Sequence, residues 1–500
     1  MNSAADRRGY AWALSILVMA GAVWIAFNLI YPNGFGGPDV FHFKDPGCNL
    51  ALGHGFTSAS YAGTHSFDAK FWFSQGPLFP LLYGAYASAF GCTIVADNVF
   101  NLAISLALCA VVLVLVRPFL AGRWYAAFAV MLAILAPTGG YKWPTDDRPD
   151  HLALVFLLLI PALAQVRPTA RWGFFALAGL AFVTSPYYGV YALVFAAGLL
   201  LMEEERWFSG RVMGGLAVGA VVFAAFPIAA IVAAIAADPD SVTRFLTHTQ
   251  RIFSHEGIAE KLRMAVFSSG VNSVLLTARW LLALPVLGGL LLVLRAVHTG
   301  KCALVLPVLL FALCLVTPVF FPKQAAYYSA SAFVGLIGMW WCLARAGIRA
   351  GRHPVLAGAG MAVLLLPLLP WLVTEPLRRI ETIDSFRAAE RQAEAFAASL
   401  GAVPPGHVVL VPASHFFLYK KLLVNVFDPE YLFPDFDAAR IEGNVVCRAG
   451  RRPDTFPPPD PVARAPVTVE PAAPPALHLQ LFGVTLMRNY ADWSCDQIRY

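Results

Sequence analysis

Apolar runs of about twenty residues recur over the first three quarters of the chain, parted by short Arg-bearing turns and a few longer polar stretches. Runs of that length match the roughly 30 Å hydrocarbon core of a bilayer. They predict eleven membrane-spanning helices, near residues 11–30, 97–116, 124–138, 151–166, 172–184, 187–201, 212–236, 274–296, 302–320, 325–344 and 354–373. The pair 172–184 and 187–201 is short and turns at Ser185–Pro186. A single kinked span is the competing reading there, and it would reverse everything downstream. The first run follows Asp6-Arg7-Arg8 and continues past Ala20-Gly21-Ala22, a stretch that could pass as a cleavage site. An uncleaved span is therefore expected rather than a signal peptide.

The turns decide between the two counts. With the N-terminus inside, the cytoplasmic turns contain Arg7 and Arg8, Arg117 and Arg123, Arg167 and Arg171, Arg206 and Arg211, Arg295 and Lys301, and Arg345, Arg349 and Arg352. Every one is basic, as the positive-inside rule requires. Counting the short pair as one span would put Arg295, Lys301 and the Arg345 group outside, so two spans are preferred. The outer side then receives residues 32–91, 139–150, 185–186, 238–272, 321–324 and everything after Glu375. Residues 238–272 hold Arg244, His248, Arg251 and His255 among apolar residues at helical spacing. They read as an amphipathic helix on the membrane face or as a solvated connector.

After Pro376 the pattern changes to that of a soluble domain. Ser385 to Leu400 reads as an amphipathic helix, His407 to Pro412 as a buried strand, and Phe416 to Val424 as a helix or a second strand. Phe456 to Pro475 is Pro-rich and reads as an extended linker or excursion, and Leu477 to Met487 alternates like a strand. The expected fold is thus an α-helical polytopic membrane protein, N-terminus inside and C-terminus outside. Residues 1–375 form the membrane domain with its outer loop 32–91, and residues 376–500 a small α/β domain outside the membrane.

Composition agrees: 58% of residues are hydrophobic and 13% charged. The net charge of +6 rests on Arg in short turns, where orientation explains it, so nucleic acid is not an expected partner. Cys109, Cys314 and Cys342 fall within spans and Cys302 at a cytoplasmic end. Cys48, Cys92, Cys447 and Cys495 fall outside, and a disulfide between Cys447 and Cys495, the pair in the soluble domain, is expected.

A chain this apolar has few places for chemistry in water, and residues 31–91 are the densest. They carry Asp39, His42, Lys44, Asp45, Asn49, His54, His65, Asp68, Lys70 and Gln75 among aromatic residues. An acidic segment, Pro38 to Asp45, leads into a small helix ending at Gly53-His54-Gly55-Phe56. An aromatic Gly-Pro segment, Phe71 to Pro80, then runs into an apolar helix closing at Phe90-Gly91. Asp45 precedes Pro46 and also fits a helix N-cap. A second cluster, Tyr141 to Asp150, packs Lys142, Asp146, Asp147, Arg148 and Asp150 into one short outer turn. Charges there are costly to desolvate without a role, although an Asp at a helix N-terminus is also favoured by the dipole. A third stretch, Phe321 to Tyr328, has Lys323 as its basic residue, in a place where lysine also serves as a snorkelling anchor.

The order of the first stretch resembles the first periplasmic loop of the GT-C superfamily, membrane glycosyltransferases of the protein mannosyltransferase and aminoarabinose transferase kind. In that family an Asp, often followed by Glu, comes shortly after the first span and before a Gly-x-Gly-aromatic turn. Asp39 stands fourteen residues before Gly53, and Val40 replaces the Glu. The resemblance implies an inverting glycosyltransferase, moving a hexose or pentose from a polyprenyl-phosphate donor to a glycan, lipid or protein acceptor. It implies a site on the periplasmic face of a bacterial inner membrane. Asp39 or Asp45 would be the general base. Lys142, Asp147, Arg148, Asp150, Lys323 and Tyr327 would bind the carrier phosphate and substrate. Asp39 and Asp147 would hold a divalent cation such as Mg²⁺ or Mn²⁺, if one is used. Two other classes compete. An O-antigen ligase- or polymerase-like enzyme on a polyprenyl-diphosphate glycan would use Arg244, His248 and Arg251. A transporter would place charge at the bilayer midplane, where these spans carry almost none.

Overall fold

A computed structural model describes residues 4–32, 40–58, 76–117, 125–126, 128–130, 132–133, 148–167, 170–202, 210–237, 239, 369–400, 408–410, 416–422, 426–427, 445–449, 464–467, 480–481, 484–485 and 495–498. The predicted spans from 274 to 344, and most of 354–373, lie outside that set. So do Asp39, Lys142, Asp147, Lys323 and Tyr327.

The helices are α1 (Ala4–Ile30), α2 (Val40–Phe43), α3 (Asp45–Ala51), α4 (Leu78–Phe90), α5 (Ile94–Val116), α6 (Asp150–Val166), α7 (Arg171–Thr184), α8 (Pro186–Met202) and α9 (Gly210–Ala237). Their ends follow local chemistry. Thr93 sits in an extended conformation ahead of α5, and its hydroxyl accepts from the Ala96 N–H at 3.2 Å. Asp97 lies in the first turn of α5 and Asp150 in the first turn of α6, where the helix dipole favours negative charge. Ser185 closes α7 in an extended conformation and Pro186 opens α8, so the chain breaks where the sequence places the turn.

Among the described residues, three helices are long and apolar enough to cross a membrane: Ala11–Ile30, Ile94–Val116 and Val212–Ala237. The helix α7, with 14 residues, is only about 21 Å long, shorter than a bilayer core. It packs against α6, α8 and α9, and Gly189 approaches Phe182 closely enough that a Cβ would meet its Cα at 2.4 Å. The segment is thus two helices packed against each other rather than one kinked rod. Reporter fusions at Arg206 and Ala449 are accordingly expected to fall on opposite sides of the membrane. Both on one side would contradict the orientation.

The core of the bundle joins α5, α6, α7 and α8 through Val111, Leu157, Leu158, Phe175, Tyr191 and Phe195, and takes in Phe43 and Phe79 from the first loop. Close packing of that loop depends on small residues. A Cβ on Gly47 of α3 would meet the Pro80 carbonyl oxygen at 2.6 Å and the Gly84 nitrogen of α4 at 2.9 Å, so the two helices cross backbone to backbone.

The C-terminal part opens with α10 (Leu369–Leu400), one helix about 48 Å long that runs through Pro376. The amphipathic helix expected from Ser385 is its second half. β1 (Val408–Leu410) and α11 (Phe416–Lys420) follow, then β2 (Val426–Phe427), β3 (Val445–Ala449), β4 (Arg464–Val467), β5 (Gln480–Leu481), β6 (Val484–Thr485) and β7 (Cys495–Ile498). Five strands make a mixed sheet in the order β2-β1-β3-β7-β4, with β1 parallel to both neighbours and β7 antiparallel to both of its own. The Pro-rich stretch expected as a linker thus contributes a strand. Pro466 is tolerated because β4 ends the sheet's strand order. The single strand expected over 477–487 is instead an antiparallel pair, β5 with β6.

A disulfide joins Cys48 of α3 to Cys92, just before α5, 44 residues apart. In the chain-entropy model a loop of that length contributes about 4 kcal/mol. Sequence placed both cysteines on the outer side without pairing them. Non-reduced peptide mapping is expected to recover Cys48 linked to Cys92, and free thiols at both would contradict it. The sheet register sets Cys447 opposite Gln497 and Cys495 opposite Ala449, two positions apart on neighbouring strands.

Candidate active site

Among the described residues, the buried charged side chains are Lys44, Asp45, Asp97, Arg148, Asp150, Arg379 and Lys420. All belong to helix ends or segments that the basic turns assign to the outer side. Burying a charge costs several kcal/mol unless it is paired, and each of these has a partner within the set or an amide.

The segment Val40–Ala51 supplies the first group. Asp45 is the first residue of α3 rather than its N-cap, a position occupied by Lys44, and Pro46 follows inside the first turn. The Asp45 carboxylate is fully buried. Its Oδ1 lies 2.6 Å from Lys420 Nζ of α11, and its Oδ2 accepts from Ser58 Oγ at 2.9 Å. Lys420 also donates to Asn49 Oδ1 at 2.6 Å, and Asn49 Nδ2 donates to the Thr57 carbonyl at 2.8 Å. One ammonium thus joins α11, α3 and the Gly-x-Gly turn.

Lys44, next in sequence, points the other way. Its Nζ lies 2.6 Å from Asp97 Oδ1 at the start of α5 and 3.5 Å from Asn101 Oδ1. Asn101 Nδ2 donates to Asp97 Oδ2 at 3.1 Å. The Tyr83 and Phe417 rings each lie 5.8 Å from the same ammonium, so α4 and α11 line its pocket. Burial and the Asp97 charge both push the nearby Tyr86 phenol above its ordinary pKa.

The second group sits at the head of α6. Arg148 Nε lies 2.7 Å from Asp150 Oδ2, and Ser185 Oγ, at the break between α7 and α8, donates to Asp150 Oδ1 at 3.3 Å. The Arg148 guanidinium stacks over Phe43, 5.3 Å from its ring centre. The first loop approaches the same break a second time. Gly76, at φ +109°, lies so near Val183 that a Cβ would meet its carbonyl oxygen at 2.4 Å. At that φ and that separation only glycine fits.

Of the predicted site residues, Asp45, Arg148 and Asp150 are described. The structure brings Arg148 and Asp150 together and sets Arg148 against the first loop through Phe43. Asp45 is also in that loop, but it is held by α11. No group of three His, Cys, Asp or Glu able to hold a metal occurs among the described residues. The expected cation ligands Asp39 and Asp147 lie outside them.

Sequence reasoning missed Lys44, Asn49, Asp97, Asn101 and Lys420 as partners, and gave Ser185 no role. A signal existed for some of these. Asp97, Asn98, Asn101 and Ser105 are buried polar residues on an otherwise apolar helix, and polar groups in such helices face a protein interior. Lys420 gave none, because its partners lie some 370 positions away.

No protein family matches the chain, and no curated protein matches it. Two solved structures are similar to it in backbone arrangement. ArnT from Cupriavidus metallidurans bound to undecaprenyl phosphate has a TM-score of 0.42 and 14% identity, over 83% of this chain and 85% of its own. The Archaeoglobus fulgidus oligosaccharyltransferase in the apo form has a TM-score of 0.42 and 12% identity, over 88% of this chain and 69% of its own.

Proposed function

We propose that this chain is a membrane glycosyltransferase that moves a sugar from a polyprenyl-phosphate donor to an acceptor hydroxyl at the outer membrane face. The observation that carries the reading is the meeting of Arg148 with the first loop. A buried cation is oriented by Asp150 and by Phe43, a residue four positions after the candidate base in the sequence. A phosphate leaving group calls for such a cation, and an attacking hydroxyl calls for such a carboxylate.

The reaction divides among this chain's own residues. The Asp39 carboxylate takes the proton from the acceptor hydroxyl. The hydroxyl oxygen forms a bond to the anomeric carbon as the bond from that carbon to the phosphate oxygen breaks. The phosphate departs with the electron pair and is held by Arg148 and Lys323. One displacement inverts the anomeric configuration. Asp39 is preferred to Asp45 as base because both oxygens of Asp45 are engaged, one by an ammonium and one by a hydroxyl.

The test uses the purified full chain in nanodiscs with a panel of undecaprenyl-phosphate-linked hexoses and pentoses and a cell-envelope extract as acceptor. Consumption of one donor with release of undecaprenyl phosphate is expected. Consumption of no monophosphate donor, with turnover of an undecaprenyl-diphosphate glycan, would overturn the reading and direct attention to Arg244, His248 and Arg251.

A further inference from the structure

Two buried lysines are exchanged between the first loop and the C-terminal segment. Lys420 of α11 enters the loop to meet Asp45 and Asn49, and Lys44 of the loop lies against the Phe417 ring of α11. Around them Val40, Cys48, Tyr83, Cys92, Ile383, Phe386, Phe416 and Leu418 form one apolar cluster drawn from both parts. Arg379 of α10 adds a third tie by donating to Asn28 Oδ1 at the end of α1. Lys421 stays at the surface with Glu390 and Glu394 of α10. Burial lowers its pKa, but those two carboxylates raise it more, so that pair holds α11 on α10. Its contribution is in place below pH 10.5, the ordinary lysine value, and is lost as pH climbs through the raised one.

We infer that Lys420 is a positioning residue: the C-terminal segment completes the first loop by inserting this ammonium between Asp45 and Asn49. The physical reason is the cost of leaving either charge alone. Asp45 is fully buried and Lys420 is 1% exposed, so neither is solvated if the other is withdrawn. The position of α3 is therefore tied to α11. Asp39 lies six residues before Asp45, and the turn at Gly53 lies directly after α3. Whatever fixes α3 fixes the frame from which the loop presents its carboxylate. Asn49 carries the constraint onward, since its amide bonds both Lys420 and the Thr57 carbonyl. The consequence for transfer rests on the glycosyltransferase reading, whereas the lock itself does not.

The experiment compares wild type, Lys420→Met, Asp45→Asn and the double variant Asp45→Asn/Lys420→Met, all as full chains in nanodiscs. Hydrogen exchange across residues 45–58 reads the lock. Turnover of the undecaprenyl-phosphate sugar that wild type consumes reads positioning. Lys420→Met is expected to speed exchange across 45–58 about tenfold while Asp150–Val166 exchanges as before. It is expected to lower kcat about tenfold with the donor KM within about threefold, because the carrier contacts are untouched. The double variant removes both charges and is expected to return both readouts most of the way to wild type. Exchange in Lys420→Met equal to wild type would overturn the inference. So would loosened exchange with unchanged kcat, or a double variant no better than Lys420→Met. If wild type consumes no donor, the glycosyltransferase reading fails, and the exchange cycle still decides the lock.

Discussion

Asp39→Asn is expected to lower sugar transfer by about 10²- to 10⁴-fold, the range that a positioned general base contributes. The amide keeps the shape of the side chain and loses its ability to take a proton. The loss should fall on kcat, because proton transfer belongs to the transition state and not to carrier binding. Undecaprenyl phosphate affinity, measured on the same protein, is expected to stay within about threefold, a difference under 1 kcal/mol. Lys323→Ala should do the reverse and weaken that affinity, since a phosphate contact exists in the ground state too. Near wild-type turnover in both Asp39→Asn and Asp45→Asn would remove the first loop from the chemistry.

The largest effect on stability is expected at Lys44. Lys44→Met leaves Asp97 buried without its ammonium, and breaking a buried pair from one side costs about 3–5 kcal/mol. Several kcal/mol is a large part of the net stability of a typical domain. The pairing partner tells the mechanism. Lys44→Met/Asp97→Asn replaces two charges by a neutral pair, so it is expected to melt well above Lys44→Met alone. Thermal unfolding of the detergent-solubilised chain measures both. Equal melting temperatures for wild type and Lys44→Met would show that the pair is not what holds α2 and α3 to the head of α5.

How much of this was legible depended on range. Helices announced themselves locally: α5, α6, α7, α8 and α9 begin within about three residues of the predicted spans, because apolar length and flanking turn residues set their ends. The break at Ser185–Pro186 was readable for the same reason. Pro376 misled. It marks a true change of composition, yet α10 continues through it, since a helix tolerates one proline at the cost of a backbone hydrogen bond. The strands were least legible, as several are two to four residues long and draw their partners from far along the chain. The site shows the same limit. Arg148 and Asp150 were singled out because they are neighbours in sequence and both charged, and they pair with each other. Asp45 was singled out for its charge, but its partner was not, because only the folded chain brings Lys420 to it. Cys48 and Cys92 were each placed on the outer side, and their pairing needed the crossing of α3 and α4 that Gly47 and Gly84 permit.

The proposed reaction requires the three outer clusters to surround one carrier phosphate. A structure of the full chain in nanodiscs with undecaprenyl phosphate tests it most directly. The phosphate is expected between Arg148 and Lys323, with Asp39 on the side where the donor sugar would sit. A phosphate lying instead against Arg244, His248 and Arg251, away from Arg148, would contradict it.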